Sequence, residues 1–581
     1  MKGLTCSLAG DVYSISAAGY MLELDTAKAA ARVILDGTAA ATLDLRSAVC
    51  SLGGENKEII DREPDIPVFA GCSDSETGLV FTFEGRSSLW FKTYRLVCTP
   101  LRFNYYVTVK GKGRVDSVNY FSGDPVGDKP GSGYEFAEGF NPCVSWYNTE
   151  DYYFRSSVSC HRWSVLTVPP MFCYSFRCEG LGQRLTLGLA AERGEHNFQS
   201  FDYRAFIKGW HTGFCLATDQ HGHTSVNGEW TAPHIIGFGA EDEFDSMRKY
   251  CDYYFASGIA DPSVDLTAPT PRFWHGPMLC GWIEQIMQGA KAGKSPPELA
   301  RQDFYEGLVE KAHGFGLEPR VLIIDDKWQS EYATDHPDPA KWDDLRGFID
   351  RRHAENCAVL LWFKLWDPEG WPEELCIVSD KGERRIDPSQ PAFIAELDRI
   401  LHRLLSDEPG CMNCDGFKLD FAFWNPIGRG FRTYSGRYGV ELMYDMMKHI
   451  YDKAKEIKPY ALINCSPCHP YFASICDQAR LHDYNYNNRS NLEDLKMRAK
   501  LFAIANPGTL IDTDNAGFNT RRDSMRWLLN QPLTGVPDLY SLTPSESMPD
   551  MTDDDFYAIA RVWREYSAKI DALYGGGKSF K

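Results

Sequence analysis

The spacing of hydrophobic side chains along the chain changes at about residue 240. Before that point, short runs rich in Val, Thr, Phe and Tyr recur, as in residues 78–83 and 102–109. Gly, Asp and Asn clusters separate these runs at the spacing of β-hairpins. Few segments with helical periodicity interrupt them. The pattern predicts a large antiparallel β-sandwich over residues 1–240.

A helix and a linker are predicted next. Residues 241–257 place apolar side chains at helical spacing, and a Pro-rich stretch follows over residues 261–271. We therefore assign residues 241–271 to a linker helix and a Pro-rich linker.

From residue 272 onward, buried strands alternate with amphipathic helices. The predicted strands cover residues 278–282, 321–326, 358–364, 415–421, 460–465, 479–483 and 508–514. Predicted helices include residues 299–313, 391–405 and 440–457. About 260 residues of such alternation is the size of a TIM barrel. The sequence thus predicts a (β/α)8 catalytic barrel over residues 272–545. A C-terminal helical segment is predicted over residues 546–581, with its helix at residues 553–573.

Composition and charge exclude several kinds of partner. The chain has 581 residues, which favours two or three domains, and a formal net charge of -19. That charge argues against nucleic acid and anionic membranes as partners. The N-terminus carries no apolar run typical of a signal peptide, and no segment approaches the ~18 apolar residues of a membrane span. We therefore expect a cytoplasmic protein whose 18 cysteines are reduced.

Polar side chains gather where the predicted barrel strands end. The carboxyl ends of all barrel strands open on one face, so such residues converge on one pocket. A single Asp at such a place is more simply explained as a helix N-cap. Six strands that end this way favour a polar binding site. These strand-end residues are Asp325, Asp326, Trp362, Lys364, Lys418, Asp420, Asn464, Cys465, Asp483, Asp512 and Asp514.

The stretch of residues 415–421 carries the strongest candidate for chemistry. Phe417, Leu419 and Phe421 fall on one face of the strand, which leaves Lys418 and Asp420 on the other. Charged side chains are rarely buried without a partner or a function. The chain contains neither a G-x-S-x-G motif nor a P-loop, so neither a Ser triad nor P-loop phosphoryl transfer is supported.

Paired carboxylates are what glycoside hydrolysis requires. Asp420 is the candidate nucleophile, because the ammonium of Lys418 favours its ionised form. Asp483, between a His and a Tyr, is the candidate acid. Asp512 or Asp514 is the alternative acid, since both also end a barrel strand.

Two C-x-x-C pairs offer a different reading. Cys411 and Cys414 form the first pair, and Cys465 and Cys468, followed by His469, form the second. The pairs lie about 50 residues apart, beyond the usual spacing of a zinc ribbon. We predict no metal and no cofactor, and a non-catalytic or metal-dependent carbohydrate-binding barrel remains an alternative.

The barrel motifs resemble those of glycoside hydrolase family 36, the α-galactosidase and raffinose synthase group, of the clan that also holds families 27 and 31. Residues 323–329, I-I-D-D-K-W-Q, resemble the I-I-D-D-G-W-Q motif of that family, and residues 361–364, L-W-F-K, resemble L-W-F-E-P. Residues 415–420, D-G-F-K-L-D, resemble D-G-x-K-x-D, and residues 464–466, N-C-S, resemble a segment that precedes a Gly-rich loop. The order and approximate spacing of these motifs agree over residues 270–540.

The resemblance implies a β-supersandwich before the barrel and retaining hydrolysis of an α-galactoside-like bond. It implies Asp420 as nucleophile and Asp483, followed by Arg489, as acid/base. The expected substrate-binding residues are Asp325, Asp326, Trp328, Trp362, Lys364, Lys418, Cys465 and Arg489, with Trp328 or Trp362 stacking on the sugar ring. For Cys465 a buried structural thiol is the alternative, and for the two Trp residues it is packing at the barrel rim.

The sequence also departs from that family. Lys327 replaces a Gly, Lys364 replaces an acidic residue, and residues 467–471, P-C-H-P-Y, replace the Gly-rich loop. No predicted β-domain follows the barrel. These differences leave the sugar and its linkage open. A homo-oligomer is compatible with the sequence, which does not determine the oligomeric state. A transglycosylase of the raffinose-synthase type, which would share every catalytic residue, is the second alternative.

Overall fold

The computed structural model describes residues 3–125, 131–142, 152–160, 169–178, 180, 182–208, 211–262, 270–332, 334–481, 491–514, 520–544 and 550–574. Within these ranges, an antiparallel N-terminal domain precedes a parallel barrel. This architecture confirms the fold class that the sequence predicts.

The N-terminal domain consists of two antiparallel sheets. Strands β1–β5 and β12 form one sheet, and the other strands up to β19 form a larger sheet. Along β10 every second side chain is buried, which is the pattern of a strand with one face against a core. The strands are β1 Leu4–Ala9, β2 Val12–Ala17, β3 Met21–Asp25, β4 Ala30–Leu35, β5 Thr38–Asp44, β6 Ala48–Leu52, β7 Glu58–Ile59, β8 Val68–Asp74, β9 Leu79–Arg86, β10 Phe91–Cys98, β11 Phe103–Tyr120, β12 Gly133–Tyr134, β13 Phe136–Phe140, β14 Tyr153–Arg155, β15 Cys173–Cys178, β16 Arg184–Ala190, β17 Phe201–Lys208, β18 His211–Thr231 and β19 His234–Ala240.

Eight parallel strands form the barrel. They are β20 Met278–Cys280, β21 Val321–Ile324, β22 Ala358–Lys364, β25 Gly416–Asp420, β26 Leu462–Cys465, β27 Gln478–Arg480, β28 Leu510–Asp512 and β29 Asp538–Leu539. The hairpin of β23 Cys376–Val378 and β24 Arg384–Ile386 lies between β22 and β25. Strand β29 pairs with β20, and a single parallel bridge between Asp512 and Val536 joins the seventh strand to the eighth. The barrel is therefore nearly closed.

The described α-helices are α1 Glu243–Ala256, α2 Trp282–Ala292, α3 Gln302–Gly314, α4 Leu345–Ala354, α5 Pro391–Leu405, α6 Gly439–Ile457, α7 Asn491–Ala505, α8 Arg521–Leu528 and α9 Asp553–Leu573. The predicted helices 391–405 and 553–573 match α5 and α9. Helix α9 packs at the amino-terminal side of the barrel, where Asp571 pairs with Arg272 and Arg320. None of the described helices combines the length and the hydropathy that crossing a bilayer requires.

The side chains of strand β25 point alternately outward and inward, as the sequence predicts. Phe417 and Leu419 are buried in the hydrophobic core outside the barrel. Lys418 and Asp420 alternate with these two residues along the strand, so they point into the barrel, near its carboxyl end. A separate apolar cluster, which includes Val321, Ile323 and Leu360, fills the interior nearer the amino-terminal end. The barrel is thus apolar at one end and ionic at the other.

The N-terminal domain contacts the loop that follows β25. The ring of His223 stacks on that of Tyr438 with their centroids 3.9 Å apart. The guanidinium of Arg429 pairs with the carboxylate of Asp116, which is almost fully buried, at 2.5 Å. These contacts hold the segment 425–438 against the antiparallel sheet.

The N-terminal domain also contacts the loop that follows β26. The backbone N–H of Cys468 donates to the carbonyl of Pro169 at 3.0 Å, and Nε2 of His469 lies 3.0 Å from the hydroxyl of Tyr250 on α1. His469 is fully buried, and burial lowers its pKa well below its ordinary value. Residues 467–471, which depart from the family pattern, thus form a contact between the domains.

Gly416 begins the strand that carries Asp420, and its substitution tests how tightly that strand is held. Its φ of +143° favours glycine, and a Cβ at this position would lie 2.0 Å from the carbonyl oxygen of Leu462. We expect Gly416→Ala to lower the free energy of unfolding by more than about 2 kcal/mol, measured by denaturant titration. Gly307→Ala is the control: this exposed α3 residue has open space around it, so we expect a gain of about 0.5–1 kcal/mol. Equal effects of the two substitutions would contradict the prediction.

Candidate active site

Asp420 ends strand β25 with a carboxylate that three groups position. Its Oδ1 accepts the backbone N–H of Phe421 at 2.8 Å, and its Oδ2 accepts the indole N–H of Trp362 at 3.1 Å. The guanidinium of Arg480 lies 3.3 Å from Oδ1. The side chain remains 14% exposed, so the carboxylate is held by donors yet is open to a ligand. These donors therefore orient a carboxylate that a ligand can still reach.

The left-handed turn after Asp420 shapes the wall beside it. Phe421 has a φ of 59°, which is uncommon for a residue with a side chain. Its ring packs edge-on against Trp362 and Trp424, with centroid separations of 6.0 and 4.8 Å. The turn therefore brings an aromatic wall directly next to the carboxylate.

Lys418 forms a buried ion pair, and its direct partner is Asp325. The ammonium lies 2.6 Å from Oδ2 of Asp325, with the two side chains only 3% and 2% exposed. Burial alone would lower the pKa of Lys418, but the charge of Asp325 raises it overall. We predict from the sequence that Lys418 keeps Asp420 ionised. In the structure Lys418 pairs first with Asp325, and its interaction with Asp420 is a weaker, longer-range one.

Arg480, at the end of β27, is a site residue that the sequence reading misses. Its side chain is 1% exposed and lies between the carboxylates of Asp420 and Asp514, at 3.3 and 3.9 Å. The predicted strand 479–483 contains this residue, but the structure has β27 at Gln478–Arg480, so Arg480 and not residue 483 ends the strand. The available signal was an arginine within a predicted barrel strand, because a charged side chain is rarely buried without a partner.

Asp326 lies beside the Lys418–Asp325 pair and holds its own proton near neutrality. Burial and the charge of Asp325 raise the pKa of Asp326 to about 7, against the opposing effects of Tyr332 and Lys364. The Tyr332 hydroxyl lies 3.4 Å from Oδ2, and Oδ1 is buried without a hydrogen-bond partner in the described chain. Asp326 is therefore placed to offer a donor or an acceptor to a ligand.

An aromatic cage holds the ammonium of Lys364. The centroids of Tyr332, Trp424 and Phe421 lie 4.0, 4.7 and 4.8 Å from Nζ. Asp367 pairs with the same ammonium at 2.8 Å. Strand pairing places Lys364 opposite Asp420, so this cage forms part of the same wall. At the position where the family 36 motif has an acidic residue, this chain thus has Lys364, which is paired with Asp367.

A second group of acids lies across the barrel interior. Asp512 accepts from the amide of Asn464 at 2.7 Å and from the backbone N–H of Asp514 at 3.0 Å, and both aspartates have no exposed surface. Burial and the charges of Asp512 and Asp514 raise the pKa of Asp538 well above its usual range. A protonated Asp538 facing two carboxylates removes one negative charge from this group.

Three predicted contact residues lie behind the wall. Trp328 has no exposed surface, and its indole N–H donates to the carbonyl of Trp362 at 2.9 Å. Trp362 is 1% exposed, with its N–H on Asp420. Cys465 is buried beside Cys476 in the core outside the barrel. Hence neither indole offers an open face for stacking, and Cys465 behaves as a structural thiol.

Two predicted residues, Asp483 and Arg489, lie outside the described residues. The described chain ends before them at Leu481, one residue beyond β27, and resumes at residue 491.

The four cysteines of the C-x-x-C pairs do not converge in the described chain. The thiol of Cys414 donates to the carbonyl of Gly416, and Cys468 packs near Cys173 and Cys251. Among the described residues, potential metal ligands gather at His402, Glu408 and Cys411, of which the first two are exposed. This group precedes β25 at the amino-terminal side of the barrel, opposite the end that carries Asp420.

No protein-family model matches this chain, and no curated protein sequence matches it. Solved structures do resemble it. A GH31 family sulfoquinovosidase from E. rectale, in complex with an aza-sugar inhibitor, is 10% identical with a TM-score of 0.59, and the match covers 98% of this chain and 83% of that one. The galactosidase domain of an α-galactosidase-sucrose kinase, AgaSK, is 10% identical with a TM-score of 0.53, over 99% and 87%.

The glucosidase II α subunit is a third similar structure, 11% identical with a TM-score of 0.54. The match covers 99% of this chain and 60% of that one. These likenesses show the fold: an antiparallel N-terminal domain followed by a nearly closed parallel barrel.

The raised pKa of Asp326 has a consequence for stability. Because its pKa rises to about 7 in the folded protein, the fold binds this proton more tightly than the unfolded chain does. Stability from this group is fully present below the unfolded pKa of about 4 and is lost as the pH rises toward 7. This group can lower the free energy of unfolding by about 1.4 kcal/mol per pH unit between these values. We expect Asp326→Asn to remove that part of the pH dependence. Denaturant titrations at pH 4.5 and 7.5 measure it.

Asp350→Asn is the control, because this helix α4 residue forms an exposed pair with Arg346. The pH dependence of its stability should match that of the wild type. Parallel curves for wild type and Asp326→Asn would show that Asp326 is ionised throughout this range.

Proposed function

We propose that this protein is a retaining α-glycoside hydrolase that acts on terminal α-galactoside-like sugars, with Asp420 as its nucleophile. The observation that carries the proposal is the setting of Asp420, a partly exposed carboxylate at a barrel strand end, held by Trp362 and Arg480. Three similar folds named as a sulfoquinovosidase, a galactosidase and a glucosidase support the same class of reaction. The motif resemblance to family 36 supports the galactoside.

In the first step, a carboxylate oxygen of Asp420 attacks the anomeric carbon of the sugar. The bond to the leaving oxygen breaks, and that oxygen takes the proton of the acid residue. In the second step, the same residue, now a carboxylate, removes a proton from water. The water oxygen attacks the anomeric carbon and displaces Asp420, so the sugar leaves with its original configuration.

We propose Asp483 as the acid/base. It follows Arg480, the last residue of β27, by three positions in the sequence, and Arg480 lies beside Asp420. The burial of the alternatives supports this choice. Asp512 has its carboxylate engaged by Asn464 and by the backbone of Asp514, and neither aspartate has exposed surface. A general acid must reach the leaving oxygen, which a fully buried carboxylate does not do.

The charges of the site favour an uncharged sugar. Among the described residues, Lys418 is paired with Asp325, Lys364 with Asp367, and Arg480 with Asp420. Each of these three cations has a carboxylate partner, so we propose a neutral sugar whose hydroxyls bind to the paired charges. We propose that Asp325, Asp326 and Lys418 bind sugar hydroxyls, with Asp326 as the most accessible of the three.

The nucleophile is tested with a panel of aryl α- and β-glycosides. We expect activity on α-glycosides, α-galactoside foremost, and a loss of at least about a thousandfold in Asp420→Ala. Asp350→Ala, on the surface of α4, should retain wild-type activity. Activity that survives Asp420→Ala would overturn the assignment, and product analysis with sugar acceptors separates hydrolysis from transglycosylation.

The acid is tested by comparing leaving groups. Asp483→Ala should still form the glycosyl-enzyme from a dinitrophenyl glycoside, whose leaving group needs no proton, while turnover of a sugar leaving group is lost. Pre-steady-state release of dinitrophenol measures the first step alone. Equal losses for both substrates would argue against Asp483.

The indole N–H of Trp362 gives a finer test of how Asp420 is positioned. Trp362→Phe removes a hydrogen bond to a carboxylate, so we expect kcat to fall about 10- to 100-fold with little change in KM. Trp342→Phe is the matched control, because this buried indole donates to the carbonyl of Ala300. Thermal unfolding of both variants checks that the fold is kept. A Trp362→Phe loss no larger than that of the control would show that the N–H has no role in the reaction.

A further inference from the structure

The turn that follows helix α5 brings two possible metal ligands side by side. Residues 408–411, E-P-G-C, have Pro at the second position of a β-turn and Gly at the third, as a type II turn requires. Gly410 has a φ of +88°, and the backbone N–H of Cys411 donates to the carbonyl of Glu408 at 3.0 Å. Such a turn keeps the Cα atoms of Glu408 and Cys411 within about 7 Å of each other.

The same turn is joined to the end of α5, which carries His402 in its last turn. The backbone N–H groups of residues 412 and 414 donate to carbonyls of that last helical turn, at 2.8 and 2.9 Å. An imidazole nitrogen of His402, a carboxylate oxygen of Glu408 and the sulfur of Cys411 consequently lie within 4.8 Å of one another.

A guanidinium from helix α4 holds the turn from the other side. Arg346 donates to the carbonyl of Cys411 at 2.8 Å and to that of Glu408 at 3.4 Å. Its own charge is paired with Asp350 at 2.8 Å. Two helices therefore fix the backbone of the turn, and a ligand set held in this way loses less conformational entropy when it closes on an ion.

The thiol of Cys411 differs from an ordinary core thiol. Cys411 is only 9% exposed, yet it lies outside the hydrophobic core clusters, and no hydrogen bond engages its thiol in the part of the chain that the structure describes. Cys414, the other member of the C-x-x-C pair, packs in the core and donates its thiol to the carbonyl of Gly416. The buried thiol of Cys411 thus has His402 and Glu408 as its polar neighbours.

We propose that His402, Glu408 and Cys411 form a site for a divalent transition-metal ion such as Zn²⁺, with water in the fourth tetrahedral position. A thiolate and an imidazole select such ions over Mg²⁺ and Ca²⁺, which take oxygen ligands. Ligand atoms around a tetrahedral Zn²⁺ lie about 3.4–3.8 Å apart, so the exposed side chains of His402 and Glu408 have to close by about 1 Å.

The C-x-x-C pair thus contributes one ligand and one core thiol. The ion would tie the end of α5 to the segment that leads into β25, the strand that carries Asp420. Binding of the metal does not depend on the proposed glycosidase activity.

The test uses the full-length protein, reduced and then freed of metal with EDTA. Zn²⁺ is titrated in competition with a chromogenic chelator, and we expect one ion to bind per chain. Co²⁺ then serves as a spectroscopic probe, because a thiolate ligand adds a charge-transfer band in the near ultraviolet. Cys411→Ser should abolish that band. His402→Gln and Glu408→Gln should each weaken Zn²⁺ binding at least about tenfold, since even changes behind the ligands cost 10- to 100-fold.

Cys72→Ser is the control, because it removes an exposed thiol of the N-terminal domain, and it should bind Zn²⁺ as the wild type does. The side chains of His402 and Glu408 are exposed, so we expect their variants to fold, and thermal unfolding without metal checks this. Zn²⁺ should raise the unfolding midpoint of the wild type and of Cys72→Ser, and not that of Cys411→Ser.

Four results would overturn the proposal. Two are the absence of stoichiometric Zn²⁺ binding at micromolar concentration and binding that all three ligand substitutions leave unchanged. The third is a cobalt band that Cys414→Ser also removes, which would mean a different ligand set. The fourth is equal competition by Ca²⁺, which would identify an acidic surface patch. Loss of Zn²⁺ binding in the three variants supports the site even if the protein hydrolyses no glycoside, so the two proposals fail separately.

Discussion

The buried ion pair between Lys418 and Asp325 is the constraint on which the active end of the barrel depends. Two charges that are 3% and 2% exposed lie 2.6 Å apart, and removal of either would leave an uncompensated charge in the interior. The pair fixes β21 against β25 at the level where their side chains turn from apolar to ionic. Asp420 is the next inward-facing residue of β25 after Lys418, so the pair also fixes the position of Asp420.

The ion pair also distributes charge around the site. Burial, and then the charge of Asp325, raise the pKa of the neighbouring Asp326 to about 7, while Asp325 itself is paired with Lys418. Arg480 and Trp362, which belong to two other strands, contact the carboxylate of Asp420 through an ion pair and a hydrogen bond. Four strands therefore cooperate to give three neighbouring aspartates three different environments.

The sequence was sufficient for the features that depend on local periodicity. The two-residue period of β25 predicts Lys418 and Asp420 on the inward face, and α5 is predicted correctly because Pro391 begins it. Strand β29 has only two residues, too few for any periodic signal, and it escaped prediction. Pairings that join distant residues were equally out of reach. Asp325 is 93 positions from Lys418, and no local pattern indicates which charge meets which. Trp328 and Trp362 look alike in sequence, and only the packing distinguishes a core indole from one that positions a carboxylate.

The loop of residues 467–471 shows what a change of motif can mean for a whole molecule. Where the family motif has flexible glycines, this chain has His469 sealed between the two domains, against Tyr250 and beneath Tyr254. The barrel by itself would present these aromatic and imidazole groups to water. The two domains are consequently not interchangeable modules: a different sandwich could replace this one only if its surface accepted the same loop. The barrel and its N-terminal partner are thus coupled physically through a loop that lies in their contact.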